Sequence, residues 1–257
     1  MRGQFLSLIE RRVNRITLAR WARRSKDSHS LNLDALRDLR HQAKMLRNKI
    51  DAFLFVADGR LTLPLIGSNA MQLPLYTDWS YRPEIWRGPI QPIGGASVQT
   101  KTTIGAEATI FHDCRVSELT FRQLRNRSET DLAPFGLGLD VFRFDGSFLS
   151  LSIDLPSDVC DGLGKRHVIR LDCTVDVESP IEIFARLSIK HGPNSDEMVR
   201  ELPLNTDDVF VEFDLAYTNL DEKRVEKLWV DLIFEGPQMN QIVLRDVTLS
   251  RRPRAQI

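Results

Sequence analysis

The stretch that decides the fold is FGLGLDVFRFDGSFLSLSIDLP, residues 135–156. Apolar residues occupy alternate positions on both sides of the dipeptide Asp145-Gly146, namely Leu137, Leu139, Val141, Leu149, Leu151, Ile153 and Leu155. Alternation with a period of two is typical of a strand that buries one face. Asp-Gly between two such runs is a favoured two-residue turn, because its backbone twist matches that of the strands. The stretch therefore predicts a β-hairpin.

The same period extends through the rest of the chain after residue 96. Further runs of this kind are HVIRLDCTVDV (167–177), IEIFARLSI (181–189), VFVEFDL (209–215), LWVDLIF (228–234) and IVLRDVTL (242–249). Roughly ten short strands without intervening helices are typical of an antiparallel sandwich. We predict a mainly β fold class: an antiparallel jelly-roll-like β-sandwich over residues 96–257, preceded by an N-terminal α-helical arm.

The arm covers residues 1–57, where the apolar period changes to that of a helix. Its second half, LDALRDLRHQAKMLRNKIDAFLFV (33–56), carries a heptad seam of Leu36, Leu39, Ala43, Leu46, Ile50 and Phe53. Ser30 or Asn32 could cap this helix, and Gly59 in Ala57-Asp58-Gly59 is predicted to end it. The two helices form either a hairpin or an extended arm.

Residues 58–95 separate the arm from the sandwich. They are rich in proline and glycine, which argues against long helices and central strands. They also hold the aromatic residues Tyr76, Trp79, Tyr81 and Trp86. These rings either pin a wrapping segment to the sandwich or form a binding platform.

The overall charge is balanced, but its distribution is not. Residues 1–50 carry 13 Lys+Arg against 4 Asp+Glu, a net charge of +9, which leaves −9 on the remainder. Such an arm either docks on the acidic body or reaches an anionic partner. The three cysteines, Cys114, Cys160 and Cys173, are expected to be reduced thiols. With no visible signal peptide and no apolar run of spanning length, a cytoplasmic location is expected, with a peripheral membrane position as an alternative.

Two resemblances add to this prediction. The order of FVEFDLAYTN (210–219) and VEKLWVDLIFEGPQMNQIVLRDVTL (225–249) resembles the closing half of a galactose-binding-like jelly roll, the fold of many carbohydrate-binding modules. The whole chain resembles a bacterial family designated a domain of unknown function, through TDWSYRPEIWRGP (77–89), FRFDGSFLSLSIDLP (142–156) and LRDVTLSRRPR (244–254). The first resemblance implies glycan binding, and the second implies no chemistry.

Catalytic and metal-binding signatures are mostly missing. There is no phosphate-binding loop, no nucleophile elbow and no His-Glu-x-x-His. His112 and Cys114 share a strand face, and His167 could complete a set of metal ligands, but this spacing alone does not predict a site. Asp231 and Glu235 lie about 13 Å apart on one strand, too far for a pair of glycosidase carboxylates. We therefore predict no metal, no cofactor and no catalytic residue.

The candidate ligand-binding residues lie on strand positions that face away from the core: Phe184, Arg186, Phe210, Glu212, Trp229 and Asp231. Aromatic rings beside charged groups suit a sugar, which stacks its C–H face on a ring and hydrogen-bonds through its hydroxyls. The alternative is that the basic helices cover these aromatic residues.

The resulting functional prediction is a non-enzymatic binding or scaffolding protein with a glycan as ligand. In the alternative, the arm is an oligomerisation element or a tether to an anionic membrane surface, using the basic residues Arg11, Arg12, Arg15, Arg23 and Arg24 within residues 3–24. A sugar-processing enzyme is the third hypothesis, and nucleic acid is not an expected partner.

Overall fold

The structure is a computed structural model that describes residues 2–65, 71–128, 130–205 and 209–254. The chain divides into two compact units, residues 1–55 and residues 56–257.

The first unit is helical, as predicted. Helix α1 spans Arg2–Asp27, a short 3-10 turn spans Ser28–Ser30, and helix α2 spans Leu33–Leu65. Asn32 caps α2, since the Ala35 N–H donates to Asn32 Oδ1 at 2.8 Å and so satisfies one of the free donors of the first turn. The prediction that Gly59 ends this helix is wrong, because α2 continues to Leu65. A single glycine inside a helix costs only about 1 kcal/mol and does not by itself end a helix.

Among the residues described, α1 and α2 make no extended packing contact with each other. Among the same residues, no helix is both long enough and apolar enough to cross a membrane.

The described part of the second unit is built mainly from strands. It also holds the end of α2, one short α-helix, α3 (Glu84–Arg87), and two 3-10 turns, Ser157–Cys160 and Leu215–Tyr217. In chain order the strands are β1 (Trp79–Tyr81), β2 (Gly94–Ala96), β3 (Thr102–Ile104), β4 (Ala108–His112), β5 (Leu119–Arg125), β6 (Phe135–Val141), β7 (Leu149–Asp154), β8 (His167–Val177), β9 (Glu182–His191), β10 (Asn194–Glu201), β11 (Val209–Asp214), β12 (Val225–Glu235) and β13 (Asn240–Pro253).

These strands form two antiparallel sheets, which confirms the predicted sandwich. The seven-stranded sheet has the order β11-β8-β13-β6-β5-β2, with β1 paired to the far half of β13. The six-stranded sheet has the order β10-β9-β12-β7-β4-β3. The edge strands are therefore β11, β2 and β1 in the seven-stranded sheet, and β10 and β3 in the six-stranded sheet.

The core lies between the sheets, and the alternating pattern explains which side chains enter it. On β9, Ile183, Ala185, Leu187 and Ile189 are fully buried, as the sequence predicts. Phe184 and Arg186, which lie between them, are only partly buried and face outward. This two-residue period fixes which side chains of each strand are available to a ligand.

The predicted hairpin at Asp145-Gly146 is wrong. Strand β6 pairs with β5 and β13, whereas β7 pairs with β4 and β12, so residues 142–148 cross from one sheet to the other. The φ of Gly146 is not positive, although the type I′ turn predicted for Asp-Gly requires positive φ. The carboxylate of Asp113 holds the crossing by accepting hydrogen bonds from the Ser147 N–H and the Ser147 hydroxyl.

A two-residue hairpin turn occurs instead between β9 and β10. His191 and Asn194 are paired, and only Gly192-Pro193 lies between them. Gly192 has φ +60°, which suits a glycine in the first central position of a type II′ turn.

The sandwich begins earlier than the predicted boundary at residue 96. Strand β1 pairs with β13, and Ile85 and Trp86 of α3 are fully buried in the core. The Trp86 indole N–H donates to the carbonyl oxygen of Leu244 at 2.9 Å. The proline-rich segment is thus part of the sandwich and supplies both strands and core.

Candidate functional site

Four of the predicted ligand-binding residues lie together on the outer face of the six-stranded sheet. Strands β9 and β12 are neighbours, and their register places Asp231 opposite Arg186 and Trp229 opposite Ser188. Phe184 lies two positions before Arg186 on β9 and therefore on the same face. We call the outward-facing residues Phe184, Arg186, Ser188, Trp229 and Asp231 the Trp229 face.

An ion pair occupies the centre of the Trp229 face. Arg186 donates from Nε and Nη2 to Oδ2 of Asp231, at 3.0 and 2.9 Å. The Asp231 side chain is buried, whereas about a third of the Arg186 side chain is exposed, and Arg186 Nη1 lies 3.6 Å from Glu197 Oε2. The exposed side of the guanidinium therefore faces solvent beside a second carboxylate.

Trp229 lies next to this ion pair and is half-buried. The Lys227 ammonium is 5.8 Å from the centre of the Trp229 ring and 2.8 Å from Oδ1 of Asp154. The Ser188 hydroxyl opposite Trp229 is fully buried and has no hydrogen-bond partner among the residues described. An aromatic ring, an ion pair and an unsatisfied hydroxyl thus adjoin on one sheet face.

The other two predicted residues do not belong to this face. Phe210 and Glu212 lie on β11, which is in the seven-stranded sheet. The prediction of one continuous surface fails because outward positions of both sheets show the same alternation in sequence. Both residues are engaged locally: the Arg170 guanidinium lies 3.6 Å from the centre of the Phe210 ring, and Arg252 Nη2 donates to Glu212 at 3.1 Å.

The seven-stranded sheet carries a polar cavity that the sequence does not predict. Its volume is about 180 Å³, and it is lined in part by Arg82, Arg170, Asp172 and Asp246. The charges are matched, since Arg82 bonds Asp246 and Arg170 bonds Asp172. Ligand pockets usually exceed about 300 Å³. We therefore assign the cavity to an internal ion-pair network.

The histidines discussed as metal ligands are bound by the backbone. His112 Nε2 lies 2.8 Å from the carbonyl oxygen of Val98, and its Nδ1 accepts from the Cys114 N–H at 3.2 Å. His112 is on the six-stranded sheet and His167 is on the seven-stranded sheet. In the part of the chain that is described, no group of three potential ligand residues forms a metal site.

The aromatic residues of the proline-rich segment have mostly structural positions. Trp86 is core, and the Trp79 indole N–H donates to Asp158 Oδ1 at 3.1 Å. Tyr81 stacks on Trp79 and donates to Glu107 through its hydroxyl. Tyr76 is exposed. These contacts favour pinning of the segment over a binding platform.

The predicted basic surface of the arm lies on α1. Arg12, Arg15 and Arg23 are exposed, and the Arg24 guanidinium lies 5.0 Å from the centre of the Trp21 ring. The side chain of Arg11 lies outside the described residues. Helix α1 is only weakly amphipathic, whereas helices that lie in a membrane interface separate their apolar and charged residues sharply onto two faces.

The fold and its outer faces define a two-sheet β-sandwich with an N-terminal helical arm. The family model described as "Family of unknown function (DUF6478)" matches residues 1–257, and the chain belongs to this family. None of the curated proteins matches the sequence.

Several solved structures are similar to this chain at low identity. The enzymatically active domain of bacteriophage CBA120 tailspike protein 4 has a TM-score of 0.40 at 8% identity, over 56% of this chain and 19% of that one. The chain thus matches only about a fifth of the tailspike domain. A family 11 carbohydrate-binding module from Clostridium thermocellum has a TM-score of 0.39 at 10% identity, over 64% of this chain and 100% of that one. The CBM22-1 xylan-binding domain of Paenibacillus barcinonensis Xyn10C has a TM-score of 0.37 at 9% identity, over 63% of this chain and 94% of that one.

Proposed function

We propose that the sandwich is a glycan-binding module and that the Trp229 face is its binding surface. The observation that carries the proposal is the adjacency of the half-buried Trp229 ring and the Arg186–Asp231 ion pair. Trp229 and Asp231 are two positions apart on β12, so their Cα atoms are separated by roughly 7 Å along the strand. A sugar stacked on the indole can extend its hydroxyls toward the exposed side of Arg186.

The chemistry of this face favours a neutral sugar over an anionic ligand. Arg186 is shared between the carboxylates of Asp231 and Glu197, and Lys227 is paired with Asp154. These two cations and three carboxylates offer donors and acceptors to sugar hydroxyls and leave no positive charge in excess for an anionic ligand.

A glycan array probed with the full chain tests the proposal. We expect retention on at least one neutral oligosaccharide. Replacing Trp229 with Ala should weaken retention about tenfold or more, since that factor corresponds to about 1.4 kcal/mol of lost stacking. Trp229→Phe, which keeps an aromatic ring, should lose less. The melting temperatures of both variants should stay within a few degrees of the wild type.

Tyr217→Ala is the matched control. Tyr217 is an exposed aromatic residue outside the Trp229 face, beside Arg254. This variant should bind as the wild type does. The proposal fails if the wild type is retained on no glycan, or if Trp229→Ala and Tyr217→Ala bind equally well.

A further inference from the structure

The heptad seam of α2 is an apolar surface that the described residues of the first unit leave open. Its members recur at steps of three and four residues along the helix: Leu36, Leu39, Ala43, Leu46, Ile50 and Phe53. Exposure rises along the second half of the seam, with Leu46 at 39%, Ile50 at 47% and Phe53 at 69%. Among the residues described, α1 makes no extended contact with α2 that would cover it.

The two sides of the seam are basic. Arg40 and Arg47 directly follow seam leucines, and Lys49 directly precedes Ile50. All three side chains are exposed. In coiled-coil packing these flanking positions lie against the flanks of the partner helix. The seam therefore combines an apolar centre with positively charged borders.

This charge pattern disfavours an antiparallel pair with a second copy and adds nothing to a parallel one. In an antiparallel pair, identical flanking positions meet, so basic residues would face basic residues. In a parallel pair, each basic flank would face an uncharged residue and gain no ion pair. Like charges at such positions are unfavourable, whereas carboxylates opposite them stabilise the pair. The complementary partner is an amphipathic helix with apolar seam residues and acidic flanks.

We propose that the α2 seam binds an acidic amphipathic helix of another protein. The partner's apolar face would cover Leu46, Ile50 and Phe53, and its carboxylates would pair with Arg40 and Lys49. The seam is about 26 Å long at 1.5 Å per residue, which is short for an independent coiled coil. A contact of this length is typical of recognition in which an amphipathic helix binds its partner through a few apolar anchor side chains.

Two synthetic peptides test the proposal with the full chain. Both have leucine at the seam positions, and they differ only in glutamate or lysine at the flanks. Fluorescence anisotropy at moderate salt should show the acidic peptide binding at least about tenfold more tightly than the basic one. Ile50→Asn should weaken binding of the acidic peptide by a similar factor, because it removes a central apolar contact.

Two double variants with the same net charge distinguish the effect of the flanking residues on binding from the effect of net charge. Arg40→Glu/Lys49→Glu should abolish the preference for the acidic peptide. Arg37→Glu/Lys44→Glu makes the same change in net charge at exposed positions away from the seam, and should keep the preference. Circular dichroism should show unchanged helix content in both.

Three outcomes would overturn the proposal. Equal affinity for the two peptides would show a purely apolar surface. A dimer in sedimentation velocity that Ile50→Asn dissociates, together with no peptide binding, would assign the seam to a second copy. Binding to anionic phosphatidylserine vesicles without binding to the acidic peptide would assign the arm to a lipid surface.

Discussion

Arg82 and Asp246, which are 164 residues apart in sequence, form a bidentate ion pair on the seven-stranded sheet. Arg82 Nε and Nη2 donate to the two carboxylate oxygens at 2.9 and 2.8 Å, and only 1% of the Arg82 side chain is exposed. Burial raises the pKa of the Asp246 carboxyl, and the neighbouring Arg82 opposes that shift. The pair ties the segment before α3 to β13.

Arg82→Met should therefore be strongly destabilising, by about 3–5 kcal/mol, because it leaves a buried carboxylate without its main partner. The double variant Arg82→Met/Asp246→Leu should recover most of this loss, since both charges are then removed. Urea unfolding of the wild type, both single variants and the double variant measures the coupling. A double variant no more stable than Arg82→Met would contradict the prediction.

His167 should make stability depend on acid pH. Burial lowers the pKa of the His167 ring, while the Gly164 backbone and the carboxylate of Asp78, whose Oδ2 lies 3.4 Å from Nε2, oppose that shift more weakly. The folded protein thus prefers the neutral ring. That contribution is complete above the unfolded pKa of about 6.5 and is lost as pH falls through the lower folded value.

His167→Gln removes the titrating group and is the variant that isolates this effect. The stability advantage of the wild type over this variant should shrink as pH falls from about 7.5 to 5. Urea midpoints across that range measure it. An advantage that grows on acidification would mean that the attraction to Asp78 and the Gly164 backbone outweighs burial, and the prediction would be wrong.

A side chain at Gly192, in the β9–β10 turn, should lower the stability of the protein. Its φ is +60°, and an added Cβ would lie 3.3 Å from Arg224 Cδ. Gly192→Ala should destabilise the protein by about 1–2 kcal/mol, the cost of the left-handed conformation for a residue with a Cβ. Gly88→Ala is the control, because Gly88 has φ −159° and no atom within 4 Å of an added Cβ. Thermal unfolding gives the melting temperature of each variant. Equal decreases for Gly192→Ala and Gly88→Ala would contradict the prediction.

Alternation in the sequence predicts the strands and their buried faces well. On β9 burial follows it at every position from Ile183 to Leu187. What alternation does not encode is the sheet to which a strand belongs, because strands of both sheets turn apolar residues toward the same core. For this reason the sequence predicts a hairpin where residues 142–148 change sheets, and it groups Phe210 with Trp229.

Contacts between residues that are far apart in the chain are the second feature that the sequence does not predict. Trp86 and Leu244 are 158 residues apart, and no local pattern relates them. The Trp229 face is partly predictable, because Arg186 and Asp231 each occupy an outward position within a clear strand. The ion pair of Arg82 is not, because proline-rich segments carry no period from which a side-chain direction follows.

The edges of the two sheets have a consequence for solubility. Strands β2 and β3 are each three residues long, and β10 carries the charged residues Asp196, Glu197, Arg200 and Glu201. Short or charged edges resist pairing with the strands of other molecules. The long strands β12 and β13, of 11 and 14 residues, lie inside their sheets with a neighbour on each side. Aggregation should therefore begin from partly opened molecules that have lost an outer strand, and conditions that loosen β10 or β11 are the ones to avoid during purification.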